Sequence, residues 1–452
     1  MNKEKSYYLI GICGIGMSSL AQLIQSKGFN VRGSDANPDI PIERKLNSLG
    51  IEVYYSHEAG RIKESDIVVY STAVGKSNIE YMEAKEKGCV LLHRTSALAE
   101  MLEDRKSIAV TGTHGKTTTT YILASVLRNY GFDSGMILGG ISKDINSNFI
   151  ASGESYVLEL DESDRSFQVL GSNIKVFTCL DNDHLEFYNN DLSELKKEFR
   201  IYMQKEGLNI ISADDNCLIN LAQKSSIKYL SFGFESQADY RGELVEKGDF
   251  FSKIKFYKND SFITEYTLPL IGYKNASNSL AVFAIADILK LDLLKIAESF
   301  SGLCGIERRY DLKFRSNTVV LMEDYAHHPK EIEEAIKTVK EYLKPLRILV
   351  VFQPHRYTRT KMLWDDYKVC FNGGDKVYIS DIYSAFEDVI PSVNSEMLVK
   401  SIGGSNVRYA KMSQLTDLLL NEVKSGDMIL ILGAGDINKI SKEISERLSS
   451  VE

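Results

Sequence analysis

Apolar residues follow two rhythms along this chain, short unbroken runs and stripes of helical period, and the two alternate from end to end. Ser107-Ile108-Ala109-Val110 is one such run, and Ile122, Leu123, Val126 and Leu127 behind it form one stripe that stops at Gly131. Short apolar runs bounded by turn residues predict buried strands, and positions at i, i+3, i+4 and i+7 predict helices. Tyr7 to Ile10 is a strand of this kind; Met17, Leu20, Ala21 and Ile24 form a helical stripe ending near Gly28, and a second strand runs to Asp35. Ile67 to Tyr70, Val90 to Leu92, Tyr156 to Leu158 and Val176 to Leu180 continue the pattern. Val319 to Met322, Ile348 to Phe352, Val377 to Ser380 and Met428 to Leu432 start a third series after the short connection at Gly302 and Gly305. Ile254, Phe256, Phe262 and Ile263 around Lys258-Asn259-Asp260-Ser261 predict a β-hairpin, a local insertion, and Gly272 opens an apolar helix expected to run through Leu289. Strands alternating with helices predict an α/β protein with parallel sheets.

At 452 residues the chain is too long for one core and divides into about three domains at roughly 150 residues each. A net charge of −8 argues against a nucleic-acid surface, which needs a basic face, so anionic ligands must be met locally. No stretch approaches the about 18 apolar residues of a membrane span, and the short apolar run after Lys5 is not expected to act as a signal peptide. Six scattered cysteines without C-x-x-C spacing fit a reducing compartment, so a cytoplasmic protein without disulfides or structural zinc is expected.

The chemistry is concentrated where strands end. Gly112-Thr113-His114-Gly115-Lys116-Thr117-Thr118 joins a strand to a helix. Glycines there let backbone N–H groups close on an anion, and the helix N-terminus adds roughly half a positive charge. Lys116 then reaches terminal phosphates and the Thr117 hydroxyl a Mg²⁺. Valine at position 110, where G-x-x-x-x-G-K-[ST] has glycine, marks the shorter T-G-T-x-G-K-T form of this loop. Glu159-Leu160-Asp161-Glu162-Ser163-Asp164 and Asp181-Asn182-Asp183-His184 end two further strands and bring oxygen and nitrogen ligands beside that metal. In the first domain, Gly11-Ile12-Cys13-Gly14-Ile15-Gly16 resembles a dinucleotide fingerprint with its glycine spacing reversed, and is read as a nucleotide-diphosphate turn. Asp35, at a strand end about 20 residues on, is placed for a ribose or base contact, and Ser71, Thr72 and Arg94 line the same edge. Asn275 and Asn278 lie one helical turn apart, suited to a base or phosphate. In the third series, Glu323-Asp324-Tyr325-Ala326-His327-His328-Pro329 and Gln353-Pro354-His355-Arg356-Tyr357-Thr358-Arg359 follow two strands, with Pro329 set to start a helix. No acidic residue lies between Gln353 and Thr360 to neutralise Arg356 or Arg359, which share one face if that segment is helical.

T-G-T-H-G-K-T-T-T, E-L-D-E-S-D, the following D-H, N-x-x-N, R-R-Y, D-Y-A-H-H-P and P-H-R-Y-T-R-T resemble, in order and over the whole chain, the Mur ligases of peptidoglycan synthesis. The opening G-I-x-G-I-G-M-S and F-Q-P-H-R-Y-T-R-T are most similar to the members that join L-alanine to UDP-N-acetylmuramate. The resemblance implies a Rossmann-like UDP-sugar domain over 1–103, a central P-loop-type ATP domain over 104–310, and a Rossmann-like amino-acid and nucleotide domain over 311–452. It implies ATP and Mg²⁺ as cofactors and UDP-N-acetylmuramate and L-alanine as substrates. It assigns catalytic roles to Lys116, Glu159, His184, Arg309 and Asp324, with Glu159, His184 and Thr117 on the metal. The loop from Gly112 to Thr118, with Asn275, Asn278, Arg309 and Asp324, would hold ATP. Gly14, Ile15, Gly16, Met17, Ser18, Asp35, Ser71, Thr72 and Arg94 would hold the sugar nucleotide, and Tyr325, His327, His328, His355, Arg356 and Arg359 would surround the alanine. Two positions depart from the family's usual pattern: Lys274 stands where histidine is usual, and Ser19 where glycine is common. A sibling ligase adding another amino acid or a recycled peptide, a dehydrogenase with two dinucleotide folds, and a non-catalytic nucleotide switch are the competing readings. Cys13 and Lys116-Thr117 speak against the dehydrogenase, and P-H-R-Y-T-R-T against the peptide version.

Overall fold

The computed structural model describes residues 5–38, 40–163, 166–182, 185–189, 191–385 and 387–450, without the side chains of Ser166 and Glu186. The described chain builds three sheets. The first contains β1 (Ser6–Ile10), β2 (Asn30–Ser34), β3 (Glu52–Tyr54), β4 (Asp66–Tyr70) and β5 (Val90–His93), all parallel, in the order β3-β2-β1-β4-β5. The second has ten strands: β6 (Lys106–Thr111), β7 (Ser134–Ser142), β8 (Ser147–Ile150), β9 (Ser155–Glu159), β10 (Ile174–Phe177), β11 (Leu208–Ser212), β12 (Leu230–Gly233), β13 (Tyr240–Gly248), β14 (Phe251–Lys258) and β15 (Ser261–Leu268). Their order is β15-β14-β13-β12-β11-β10-β6-β9-β7-β8. The third contains β16 (Asp311–Arg315), β17 (Val319–Asp324), β18 (Arg347–Phe352), β19 (Lys376–Ile379), β20 (Val407–Tyr409) and β21 (Asp427–Leu432), in the order β16-β17-β21-β18-β19-β20. Only β16 is antiparallel to its neighbour there.

Strands covered on both faces read as near-continuous apolar runs, as β18 and β21 do after their first residues, Arg347 and Asp427, which pair with each other; all six residues of β21 are buried. The chain folds into two compact units, Met1–Val245 with Lys253–Pro269 and Lys274–Cys304, and Glu246–Ser252 with Leu270–Tyr273 and Gly305–Glu452. In the first unit, the helix Ile15–Ser26 buries Met17, Leu20, Leu23 and Ile24 in a core that also takes Ile137 from β7 and Leu158 from β9. Polar contacts join the same surfaces: Asn148 Nδ2 donates to the Ile15 carbonyl at 2.7 Å and to Ser18 Oγ at 2.9 Å, while Gln22 Nε2 donates to Asn148 Oδ1 at 2.9 Å.

Two expectations change. The hairpin around Asn259 and Asp260 exists, with both residues at positive φ, but it continues the ten-stranded sheet through β13 and is not a separate insertion. The apolar helix after Gly272 is two helices, Tyr273–Ser279 and Ala281–Ile288. Ser279 Oγ donates to the Ala276 carbonyl at 2.7 Å and shares a 2.6 Å hydrogen bond with Tyr266, and such side-chain competition for backbone groups interrupts a helix.

Lys175, on β10, is fully buried and donates to the carbonyls of Tyr202 (3.1 Å), Met203 (3.3 Å) and Lys205 (2.7 Å), where the helix Leu192–Gln204 ends. Burial, and then the neighbouring Lys205, pull its ammonium down to about 8 from the ordinary 10.5. Between those values the unfolded chain binds the extra proton, so this group makes the protein more stable as pH rises through the window. Urea unfolding of the parent and of Lys175→Met across that range should show the rise in the parent and its loss in the variant. Parallel curves would mean that the ammonium is not desolvated.

Candidate functional site

The loop after β6 approaches its neighbours too closely for side chains. Gly112 has φ +137, and a Cβ on it would lie 2.9 Å from Cys179 N; Gly115 has φ +80, and a Cβ there would lie 2.7 Å from Asn278 Nδ2. Thr113 N donates to the Cys179 carbonyl at 3.0 Å, Asp181 N to Thr113 Oγ1 at 2.8 Å, and Thr178 Oγ1 to the His114 carbonyl at 2.7 Å. The loop thus hangs on the chain that follows β10 and delivers the helix Lys116–Tyr130, which ends at Gly131 as its apolar stripe predicts. Asn278 is buried against the loop, and Asn275 is half-buried in the same helix. Lys274, one of the two departures, is exposed. Thr118 is buried in the first helical turn.

Lys116 is buried, and its ammonium donates to the carbonyls of Gly112 (2.7 Å) and Thr113 (3.2 Å) and to Glu162 Oε2 (2.8 Å), with Asp161 Oδ1 3.9 Å away. Burial pulls this ammonium down, but Glu162, Asp161 and Glu159 outweigh it and hold it above its ordinary value. Glu159, on β9, accepts from Thr117 Oγ1 at 3.1 Å and from Gly139 N at 3.0 Å, and burial raises its carboxyl despite Lys116. Three carboxylates therefore face one ammonium. A hydroxyl and a carboxylate oxygen side by side in a site of surplus negative charge are hard ligands of the kind Mg²⁺ takes, so Thr117 and Glu159 fit that ion. His184, the third expected ligand, lies outside the described residues, as does Asp183.

In the first sheet the strand order reverses at β1, and ligands in such sheets bind beyond the strand ends at the reversal. The glycine turn follows β1, Ser71 and Thr72 follow β4, and Arg94 follows β5, so all three segments share that edge. The Arg94 side chain reaches the turn, because a Cβ on Gly16 would lie 2.5 Å from its Nη1. Gly14 accepts the N–H groups of Met17 and Ser18, which leaves those of Ile15 and Gly16 for an anion. Met17 and Ser18 are buried, Ser18 Oγ accepting Asn148 Nδ2 from the second sheet at 2.9 Å, and Ser19 Oγ donates to the Gly16 carbonyl at 3.1 Å. Asp35 follows β2 at the same edge. Its Oδ2 accepts Cys13 N at 3.0 Å and its Oδ1 accepts Asn37 N at 3.0 Å, so it ties the end of β2 to the turn.

The third sheet brings the ends of β17, β21 and β18 together. Asp324 is buried and accepts Tyr310 N and Ala326 N, each at 2.8 Å. Burial pushes its carboxyl up to about 6 against the opposing pull of Arg309. The guanidiniums of Arg308 and Arg309 each lie 5.0 Å from the Tyr325 ring centre. Arg308 also pairs with Glu323 at 2.9 Å and donates to the carbonyls of Gly433 and Gly435. His327 packs edge-on against Tyr325 and 6.2 Å from the His355 ring, which stacks on Tyr383 at 5.5 Å. Burial, and then His327 and the arginines, hold His355 down to about 3, so its imidazole is neutral. Arg359 is buried with Nη1 3.3 Å from His355 Nδ1. His328 is the N-cap of the helix Pro329–Leu343, in a capping box with Glu331, and Pro329 starts that helix as expected. Arg356 precedes the helix Tyr357–Met362 at φ +73, so the two arginines do not share a helical face, and Glu387 neutralises Arg356 at 2.6 Å.

Glu387, Tyr383, Asn148 and Gly433-Ala434-Gly435-Asp436 were not singled out from the sequence. The last carried a visible signal, two glycines directly after the apolar run of β21. The others reach their sites from distant segments and have no local signature.

Three segments match protein families in order along the chain: the Mur ligase family catalytic domain over residues 6–106, the Mur ligase middle domain over 110–286, and the Mur ligase glutamate ligase domain over 308–435. The chain is 37% identical over 462 aligned residues to the "UDP-N-acetylmuramate--L-alanine ligase" of Brachyspira hyodysenteriae, covering 99% of both chains. It is 36% identical to the protein of the same name from Trichlorobacter lovleyi, again over 99% of each. The crystal structure of the UDP-N-acetylmuramate-alanine ligase MurC from Thermotoga maritima superposes with a TM-score of 0.85 at 28% identity, covering 99% of this chain and all of that one. A murein peptide ligase from Psychrobacter arcticus shares the fold, with a TM-score of 0.73 at 22% identity. With three Mur ligase domains matched in order along the chain and relatives of 36–37% identity over 99% of it, the chain belongs to the Mur ligase family.

Proposed function

We propose that this protein joins L-alanine to the carboxylate of UDP-N-acetylmuramate, consuming ATP with Mg²⁺ and passing through an acyl phosphate. The observation that carries the reading is the end-to-end similarity to relatives named for that reaction, which leaves no stretch of catalytic sequence unmatched. In this reading residues 1–103 take the sugar nucleotide, 104–310 the ATP and 311–452 the amino acid. The six cysteines are thiols, which suits a cytoplasmic enzyme; among the described residues no helix is long and apolar enough to cross a membrane.

A carboxylate is a poor acyl donor, and its phosphorylation creates a leaving group. Lys116 and the N-terminus of the helix Lys116–Tyr130 stabilise charge on the phosphoryl group as it moves to the sugar's carboxylate. Thr117 and Glu159, with His184 by family likeness, hold Mg²⁺, which when bound neutralises phosphate oxygens. The turn from Gly14 to Ser18, with Asp35, Ser71, Thr72 and Arg94, seats the sugar nucleotide; Asn275 and Asn278 border the ATP loop, and family likeness assigns Arg309 and Asp324 to the nucleotide. Tyr325, His327, His355 and Arg359 frame the alanine, whose neutral amine displaces phosphate. A planar guanidinium matches a carboxylate bidentately, which suits Arg359 to the alanine carboxylate. Arg356 and His328, bonded within the protein, shape that pocket.

Phosphate release should require ATP, Mg²⁺, UDP-N-acetylmuramate and L-alanine together; equal turnover without the sugar nucleotide would overturn the proposal. Lys116→Ala should lower turnover by at least about 10²-fold while circular dichroism stays native, the scale of losing one preorganised charge contact. Arg359→Ala should raise the alanine KM far more than the ATP KM, since a hydrogen bond to a charged group contributes on the order of 1.5–3 kcal/mol.

A further inference from the structure

The two arginines after β18 are not equivalent. Arg356 Nε donates to Glu387 Oε1 at 2.6 Å, and the same carboxylate accepts Thr358 N at 3.0 Å and Thr358 Oγ1 at 2.6 Å. Arg359 has no carboxylate within ion-pair distance among the described residues, is 8% exposed, and touches His355. The segment that carries Glu387 also clamps the backbone: Arg356 N donates to the Tyr383 carbonyl at 2.8 Å and Tyr383 N to the Pro354 carbonyl at 2.9 Å.

We propose that Glu387 is a positioning residue for amino-acid recognition, compensating the charge of Arg356 and capping the helix Tyr357–Met362 so that Arg359 alone offers an unpaired charge to the carboxylate of an α-amino acid. This rests on the pocket assigned under Proposed function and deepens it. Thr358 is the second residue of its helix, so its N–H has no partner within the helix, and Glu387 supplies from a distant loop the acceptor that an N-cap side chain ordinarily gives. Arg356 cannot cap that helix itself, since its side chain carries donors only. Arg359 follows Thr358 in the same first turn, so its direction follows that of the capped turn. A neutral His355 accepts from one guanidinium nitrogen and leaves the others for a fork on a carboxylate. Glu387 also removes a competing cation: an unpaired Arg356 would draw the substrate's carboxylate away from Arg359.

Steady-state kinetics on Glu387→Gln, Arg356→Gln, the double variant and Arg359→Gln test this, with the melting temperature of each. Glu387→Gln should raise the alanine KM about tenfold, the scale of one charge-assisted hydrogen bond, and leave the KM for ATP and for the sugar nucleotide within about twofold. The double variant should cost no more than Glu387→Gln, because both changes remove one pair. A merely structural Glu387 would lower the melting temperature and kcat without moving the alanine KM. That outcome, or additive effects in the double variant, overturns the proposal if Arg359→Gln still raises the alanine KM. An unchanged alanine KM in Arg359→Gln overturns instead the pocket on which it rests. If Glu387→Gln does not fold, Thr358→Val removes one of the three bonds; it should raise the alanine KM by a smaller factor, and no rise overturns the proposal.

Discussion

The ammonium of Lys116, buried against the carbonyls of its own loop, is held charged by the carboxylates around it, and much of the central sheet serves that requirement. Removing a charge from water costs several kcal/mol per ion unless a partner and hydrogen bonds offset it. Strand register supplies the partners. Val110 of β6 pairs with Glu159 of β9, which carries Asp161 and Glu162 to the loop, and Thr111 pairs with Phe177 of β10, which carries Thr178 and Asp181 to its other side. A slip of one residue in either pairing would turn these side chains to the opposite face of the sheet. The apolar runs that fix the register are in this sense part of the phosphate site, although no atom of theirs need meet a ligand.

The same logic separates what could be read in the sequence from what could not. The loop Gly112–Thr118, its helix, the acidic end of β9 and the helix start at Pro329 follow from residues close together in the chain, and each was legible. The break at Leu280 was not, because it depends on Tyr266 reaching Ser279 from a strand of the hairpin. Nor was the neutralisation of Arg356, whose partner lies 31 residues on and meets it only once β18 and β19 are paired. Asp35 was legible as a strand-end residue, but its bonds to Cys13 N and Asn37 N, which tie the strand to the turn, arise only in the folded turn. Local chemistry marks where a site lies; pairing between distant segments decides which of its charged groups remain available.

The third sheet illustrates this. Of the polar residues gathered beyond β17, β18 and β21, several are consumed internally: His328 caps a helix, Arg308 holds the carbonyls of Gly433 and Gly435, and Gln353 bridges to Asp436 at 2.9 Å. These bonds make the cluster rigid, and rigidity is what allows a small ligand to be oriented by few contacts. Asp324, at once buried, bonded to two N–H groups and raised to about 6, shows the cost of placing a carboxylate in such surroundings.

The bonds from Asn148 to the Ile15 carbonyl and to Ser18 reach from β8 of the second sheet to the glycine turn of the first. Sequence comparison divides the chain into separable blocks, yet the helix Ile15–Ser26 buries its apolar stripe in a core that the first block shares with the second. The N-terminal block is therefore not a portable cassette. A chimera that exchanges it between relatives would have to carry β7 and β8 along, and a gene fragment ending at residue 103 would leave Met17, Leu20 and Ile24 without part of their covering and the turn without its Asn148 anchor. Drift in this pair of segments is tied: a change on one side of the helix restricts which residues the strands opposite can accept.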